Sequence, residues 1–300
     1  MAEDSKSIEH IELAGYTAPV ISESTSDNWV EFGENNDYYD YIIDIYTNSP
    51  TNNAILNSMA EYIYGKGISA TDSTRNAGAY ANLKVLFPEA EVQKMCKDLA
   101  IFSSFSYCLI PNKARDKWVK AKHIPYNSVR AQKCNDRGEI KNYYISYDWQ
   151  DSEKVKPKEL PNYDTLKEGD FKECIVVVRP YSPGTFYYNP VDYQGGVMYA
   201  ELEKLIGEYY LNLVSNGFMP TTMINHHNGI PDRDKRQTVK NELEKALTET
   251  SGKTLLVTFN DSKDKAPEVI TIPVTDAADQ YTLLTEQSRQ QIITAHRVTS

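Results

Sequence analysis

The sequence predicts an α+β protein, and three observations carry that prediction. From Asp37 the text reads as helix, with Ile55, Leu56, Met59 and Ile63 recurring at spacings of three and four. In the middle third the period changes to two, in short β-rich runs separated by turn residues. Two long helical stretches, about 197–215 and 276–296, then bracket a segment that mixes strands with a helix.

The first element is DYYDYIIDIYTNS, followed by a second helix in which Ser49 is the N-cap and Pro50 holds the N1 position, where its missing N–H costs nothing. Gly65-Lys66-Gly67 ends it. Another amphipathic helix begins near Pro88 (PEAEVQKMCKDLAIFSSF). Strands follow in SYCLIPN, WVKAKHIP, SVRAQKC and IKNYYISYD, with NDRGE as a hairpin turn, so an antiparallel meander is expected. Residues 150–170 are polar and proline-containing, which reads as a surface loop before the strand CIVVVRP. A turn-rich aromatic connector, YSPGTFYYNPVDYQGG, leads into the helix at 197–215.

In that helix Glu201, Lys204, Glu208 and Asn212 make one narrow polar strip and almost every other position is apolar or small, so most of its circumference must be packed. Gly217 and Pro220 break it. The segment TTMINH, the turn HNGIP, the helix DRDKRQTVKNELEKALTET, and the strands TLLVTF and EVITIP form a small α+β insert. From Phe218 to Thr275 it carries eight acids and eight bases. In the last helix, capped by Asp276, Ala277, Tyr281, Leu284, Ser288, Ile292 and Ala295 share one face, while Asp279, Glu286 and Gln290 share the opposite one.

Composition narrows the function classes. There are 42 acids against 32 Lys and Arg, a net charge of -10, which excludes a protein that holds nucleic acid mainly by adhesion to phosphates. The exception is local: nine bases against three acids between Pro111 and Lys141, either a phosphate-facing patch or a lysine-protected strand surface. Residues 1–40 hold ten acids and one lysine, so 1–36 is expected to be an acidic, flexible arm. Four cysteines without a CxxC spacing argue against a zinc site or a disulfide framework and read as buried small hydrophobes in a reducing compartment. No apolar run reaches the ~18 residues of a membrane helix, and the acidic N-terminus is unlike a signal peptide, so a soluble intracellular protein is expected.

No P-loop, GxGxxG, HExxH or GxSxG is present, so neither a nucleotide cradle nor a hydrolytic motif is visible. His226 and His227 are adjacent on a strand and point to opposite faces, which makes them poor joint metal ligands. No cofactor, metal or catalytic residue is expected. Tyrosine, at 22 residues, suits half-buried strands and subunit contacts.

The stretch NPVDYQGGVMYAELEKLIGEYYLNLVSNGFMPTTMINHHNGIP, then SGKTLLVTFNDSKDKAP, and QQIITAHRVTS at the end resemble the portal proteins of tailed bacteriophages, in particular the PBSX-like branch. The Ser49-Pro50 helix through Tyr64-Gly65-Lys66-Gly67-Ile68 is similar to the helix and glycine turn near the start of those proteins. The resemblance covers about residues 37–300. It implies a portal-like fold: an α/β wing (37–195), a stem helix (196–217), a small α+β clip (218–274) and a second stem helix (275–300), with the rest of the wing and the crown absent. The family continues past the Ala295-His296-Arg297-Val298 motif, so the chain is expected to be a fragment.

The resemblance further implies a homo-oligomeric ring, usually of twelve copies, at one capsid vertex of the virion, assembled in the host cytoplasm. Double-stranded DNA would pass through it without sequence-specific binding during packaging and ejection. The partners implied are the terminase large subunit, the head-tail adaptor, and capsid and scaffold proteins. Glu201, Lys204, Glu208, Asn212, Asp279, Glu286 and Gln290 would face the channel, and His226, His227, Asn228, Lys263, Asp264 and Lys265 would dock partners at the clip. The competing reading is an acidic α+β minor head or adaptor protein of a virion; a hydrolase without a visible motif is the third.

Overall fold

The structure, a computed structural model, describes residues 23–25, 28–34, 36–149, 156–215, 221–226, 255–259, 268–272 and 278–298. The chain divides into two compact units. The first comprises residues up to Asp44 together with Leu56–Asp192; the second comprises Ile45–Ile55 and Tyr193–Ser300. The architecture is mixed helix and sheet, as the two periods in the sequence require.

The first unit opens with a correction to the expected arm. Residues 1–22 lie outside the described residues, but β1 (Glu23–Thr25) and β2 (Val30–Phe32) pair antiparallel, and Val30 and Phe32 are fully buried. The acidic average over 1–36 hides this short alternation of apolar and polar residues. Glu23 is fixed by function of its charge: Oε1 accepts from the backbone N–H groups of Phe186 (3.0 Å), Tyr187 (2.7 Å) and Tyr188 (3.0 Å).

Phe32 then nucleates an aromatic core, with ring centroids 4.4 Å from Tyr38, 5.4 Å from Tyr39 and 5.1 Å from Tyr188. Tyr38 and Tyr39 open α1 (Tyr38–Asn48), and α2 (Pro50–Tyr64) follows after Ser49. Arg130 is buried in this core and makes no ion pair among the described residues, although the Asp40 carboxylate is near enough to act on its charge. Its guanidinium donates to the side chain and carbonyl of Asn36 and to the carbonyls of Asn127 (2.7 Å) and Val129 (3.0 Å), and it lies over the rings of Tyr39 and Trp149. Four oxygen contacts and two ring faces replace its lost hydration. Asn36 can serve because an asparagine tolerates its left-handed backbone, φ 59°.

Helix α3 (Ala77–Leu86) buries none of its residues, which is why the sequence shows no apolar stripe there. Helix α4 (Glu89–Phe102) starts after Pro88, carries Glu89 and Glu91 in its first turn and ends at Ser103 in the left-handed region. Strands β3 (Phe105–Pro111), β4 (Trp118–Ile124) and β8 (Cys174–Val178) form one antiparallel sheet in the order β4-β3-β8. Leu109, Ala121 and Cys174 are its buried centre, packed by Leu86, Phe87, Tyr107 and Val176. A second antiparallel sheet has the order β5-β6-β7, from β5 (Val129–Ala131), β6 (Asn142–Ile145) and β7 (Lys158–Pro161). The expected single meander is therefore two sheets, and β7 lies within the stretch read as a surface loop. Its four residues KELP hold one buried side chain, Leu160, too little for a periodic signal.

Cys108 and Cys174 are buried as expected, with thiols pushed up to about 12 and about 11 by burial; Cys96 and Cys134 are only half-buried. All four are free thiols.

The second unit is built on α5 (Gln194–Ser215) and α6 (Ala278–Ala295). They run antiparallel, since Gly196 meets Ala295 at one end and Tyr209 stacks on Tyr281, centroids 4.5 Å apart, nearer the other. Gly196 is required here: an added Cβ would sit 2.5 Å from the Ala295 Cβ. The elbow between α1 and α2 belongs to this unit. Glu203 of α5 accepts from the hydroxyl of Ser49, the backbone N–H of Thr51 (3.2 Å) and the hydroxyl of Thr51 (2.6 Å), and so caps the start of α2 from a distant part of the chain. Strands β9 (Thr221–His226), β10 (Leu255–Phe259) and β11 (Glu268–Ile272) form a sheet ordered β10-β9-β11, with β9 parallel to β10 and antiparallel to β11. A parallel neighbour requires a long crossover, and residues 227–254 are long enough to supply it. The helix expected at DRDKRQTVKNELEKALTET lies outside the described residues.

Candidate assembly surface

On α5, 100° per residue places Glu201, Lys204, Glu208 and Asn212 in one strip pointing away from α6. The strip is weakly self-neutralised by Lys204 and Glu208, 4.0 Å apart. In this order and exposure such a pair contributes at most about 0.5 kcal/mol. Apolar side chains flank it on both edges and are exposed: Met198 (54%) and Leu205 (45%) on one, Leu211 (67%) and Val214 (58%) on the other. The opposite side of the helix is closed, with Ile206 buried and Tyr209 stacked on α6.

Helix α6 repeats the arrangement. Ser288 and Ile292 are buried toward α5, and Glu286 and Gln290 are exposed on the outer face together with Leu283 (60%). Asp279 falls in the first turn of α6, and its side chain lies outside the described residues. The two polar strips therefore occupy opposite outer faces of the α5–α6 pair. The helix pairing thus does not bring the α5 and α6 strips onto one surface of the subunit, an orientation that the periodicity of each helix alone does not fix.

Of the residues expected at the clip, His226 ends β9, with its backbone paired to Phe259 of β10. His227, Asn228, Lys263, Asp264 and Lys265 lie outside the described residues.

Two structural residues were not singled out as a site in the sequence. Glu203, which caps the α2 elbow, looks like any helix-surface acid. His296 is buried, stacked on Tyr193 (4.6 Å between centroids), with Nε2 donating to Asn52 Oδ1 at 2.7 Å. Burial pushes its pKa down to about 4, so the ring is neutral in the fold. The helix ends just beyond it at Arg297, φ 58°, where Val298 N–H bonds back to Ile293 C=O in the manner of a Schellman cap. Among the described residues no group of three or more His, Cys, Asp and Glu is placed to hold a metal ion, and no helix is long and apolar enough to cross a membrane.

No protein-family model matches this chain, and no curated protein matches it. Its fold is nevertheless present in solved structures. It is similar to a chain in the neck of an empty gene transfer agent particle computed with C6 symmetry, at a TM-score of 0.54 and 10% identity, covering 94% of this chain and 71% of the other. A chain from the virion of the native particle gives 0.53 and 10%, covering 94% and 70%. One from the neck of the native particle computed with C12 symmetry gives 0.51 and 9%, covering 87% and 68%.

Proposed function

We propose that this chain is a portal subunit of a phage-like particle, forming a ring at one capsid vertex through which double-stranded DNA enters and leaves. The observation that carries the reading is α5: a polar strip between two exposed apolar edges. The edges differ, Met198 and Leu205 against Leu211 and Val214, so copies would join through unlike surfaces, the arrangement that closes into rings. The strip then faces the hole and the α6 strip faces outward. The fold shared with neck chains of particles computed with C6 and C12 symmetry supports a cyclic assembly, for which twelve copies is our reading.

The subunit is proposed to be structural and not catalytic. Packaging energy would come from the terminase large subunit, docked with the later head-tail adaptor at the clip loops, while capsid and scaffold proteins meet the wing. Electron microscopy of the purified protein tests this. Rings with a central hole are expected; a monomeric mass at micromolar concentration would refute the reading and favour the adaptor alternative.

A further inference from the structure

The β3–β4 hairpin carries the densest run of positive charge in the sequence. Residues 112–122 hold Lys113, Arg115, Lys117, Lys120 and Lys122 against Asp116 alone, a sum of +4 in a chain of net charge -10. All five cations are exposed, and none forms an ion pair among the described residues. The acid is engaged within the turn: Asp116 accepts from Asn112 Nδ2 (2.6 Å), and its backbone N–H donates to Asn112 Oδ1 (3.1 Å). Arg115 N–H to Asn112 C=O (3.1 Å) and Asn112 N–H to Lys117 C=O (3.0 Å) close the tip, so three of the cations are displayed on a hydrogen-bonded turn.

The sequence leaves two readings of these charges open, edge protection and phosphate contact, and the sheet order separates them. Strand β4 is an edge in the order β4-β3-β8, so Lys120 and Lys122, two apart and on the same side of it, can serve to block pairing with a further strand. Edge protection does not account for Lys113, Arg115 and Lys117, which precede the strand and stand on the turn. Helix α3 packs beside β4 and brings no acid to offset them. The cationic surface has its border at the cleft beside Trp118, where Asp164, Glu168 and Asp170 outnumber Lys167. A polyanion would thus be held by the turn and the outer side of β4, away from that cleft.

A surface whose commonest residue is lysine is unlike the centre of a protein interface, where lysine is depleted and aromatic residues are enriched. It matches a phosphate backbone, which lysine and arginine neutralise with release of counterions and which requires no complementary apolar shape. The negative charge carried elsewhere in the chain weakens such a contact without abolishing it, since exposed charges more than about 8 Å apart are largely screened at physiological ionic strength.

We propose that the β3–β4 hairpin is a contact for the phosphate backbone of duplex DNA, made through Lys113, Arg115, Lys117, Lys120 and Lys122 without reading bases. The choice of DNA rests on the portal reading; the contact itself rests on the hairpin. A contact of this kind retains DNA instead of letting it slide, so it belongs to DNA held against the particle and not to the lining of the conduit.

The test uses the full chain and the fluorescence anisotropy of a short labelled duplex between about 0.05 M and about 0.2 M salt. With about 0.9 counterions released for each of the five cations, the association constant should fall about 500-fold over that interval. The variant Lys113→Gln/Arg115→Asn/Lys117→Gln keeps two of the five, and its constant should fall only about tenfold while its unfolding temperature is unchanged. Asparagine is chosen at the tip because Arg115 has φ 57°, which asparagine tolerates. Poly-glutamate, an extended chain with about half the charge density of duplex DNA, should displace the duplex at least about tenfold less well at equal total charge. A salt dependence no steeper in the original chain than in the variant would overturn the proposal. Equal displacement by poly-glutamate would overturn it by assigning the hairpin to an acidic protein segment, and loss of rings in the variant, read by sedimentation velocity, by assigning it to the subunit contact. Rings absent from both chains with the hairpin-dependent salt slope intact would instead refute the portal reading and leave the phosphate contact standing.

Discussion

His296 shows how one side chain ties a helix end to a distant elbow. Its neutral ring donates to Asn52 and stacks on Tyr193, so the C-terminus of α6 is held at the start of α2. Because the folded-state pKa, about 4, lies below the ordinary value of 6.5, the unfolded chain binds the proton more readily between those limits. Stability from this residue is therefore complete above about pH 6.5 and is lost as pH falls toward about 4. Thermal unfolding across that interval should show a decline that the His296→Gln variant lacks. Glu203 acts on the same elbow from α5. Glu203→Ala strands the Thr51 N–H and two hydroxyls, and a loss of about 1–2 kcal/mol, the usual range for a lost helix cap, is expected in denaturant unfolding. A Glu203→Gln variant should retain part of it through its side-chain oxygen.

At the scale of elements, α1, α2 and α4 to α6 were legible because each buries a periodic face, and most strands because they are short β-rich runs between turn residues, as β5, β6 and β8 bury consecutive residues rather than alternate ones. Ser49 and Pro50 marked the α2 start, and the turn around Asn135 and Gly138 marked the β5–β6 hairpin, where Gly138 N–H bonds Asn135 C=O. What failed to show had little burial to announce it: α3 buries nothing and β7 only Leu160. Pairing between elements was also invisible. The split of the meander into two sheets, the elbow at 45–55 and the opposed strips on α5 and α6 depend on contacts far apart in sequence, such as Glu203 with Ser49 and Gly196 with Ala295. The candidate surface was half legible for that reason: each strip could be read, their mutual orientation could not. If the exposed edges of α5 are subunit contacts, Leu211→Glu/Val214→Glu should leave the unfolding temperature nearly unchanged, since both side chains are already in water, and abolish assembly. Sedimentation velocity distinguishes the outcomes, and intact rings from this variant would remove α5 from the interface.

For the whole molecule the governing quantity is charge. The conduit proposed above must let a polyanion slide, and a lining that pairs with phosphates along its length would resist it by trapping contacts that counterion release makes favourable. The α5 strip carries Glu201 and Glu208 against Lys204, and the chain sums to -10, so the bulk of the surface repels phosphate. Among the described residues the densest surplus is the 112–122 hairpin, with five exposed cations. Affinity for free duplex DNA should consequently fall within the non-specific range, on the order of 10⁻⁴ to 10⁻⁶ M or weaker at physiological salt. The logarithmic salt slope should not exceed about 5, near the limit set by 0.9 counterions for each of those five cations. Fluorescence anisotropy of a labelled duplex at a series of salt concentrations measures both. A steeper slope would require further cations to act together, from elsewhere in the chain or from several hairpins gathered in an assembly. Tight binding that ignores salt would mean contacts to bases instead of phosphates, and a surface that reads bases cannot also let DNA slide.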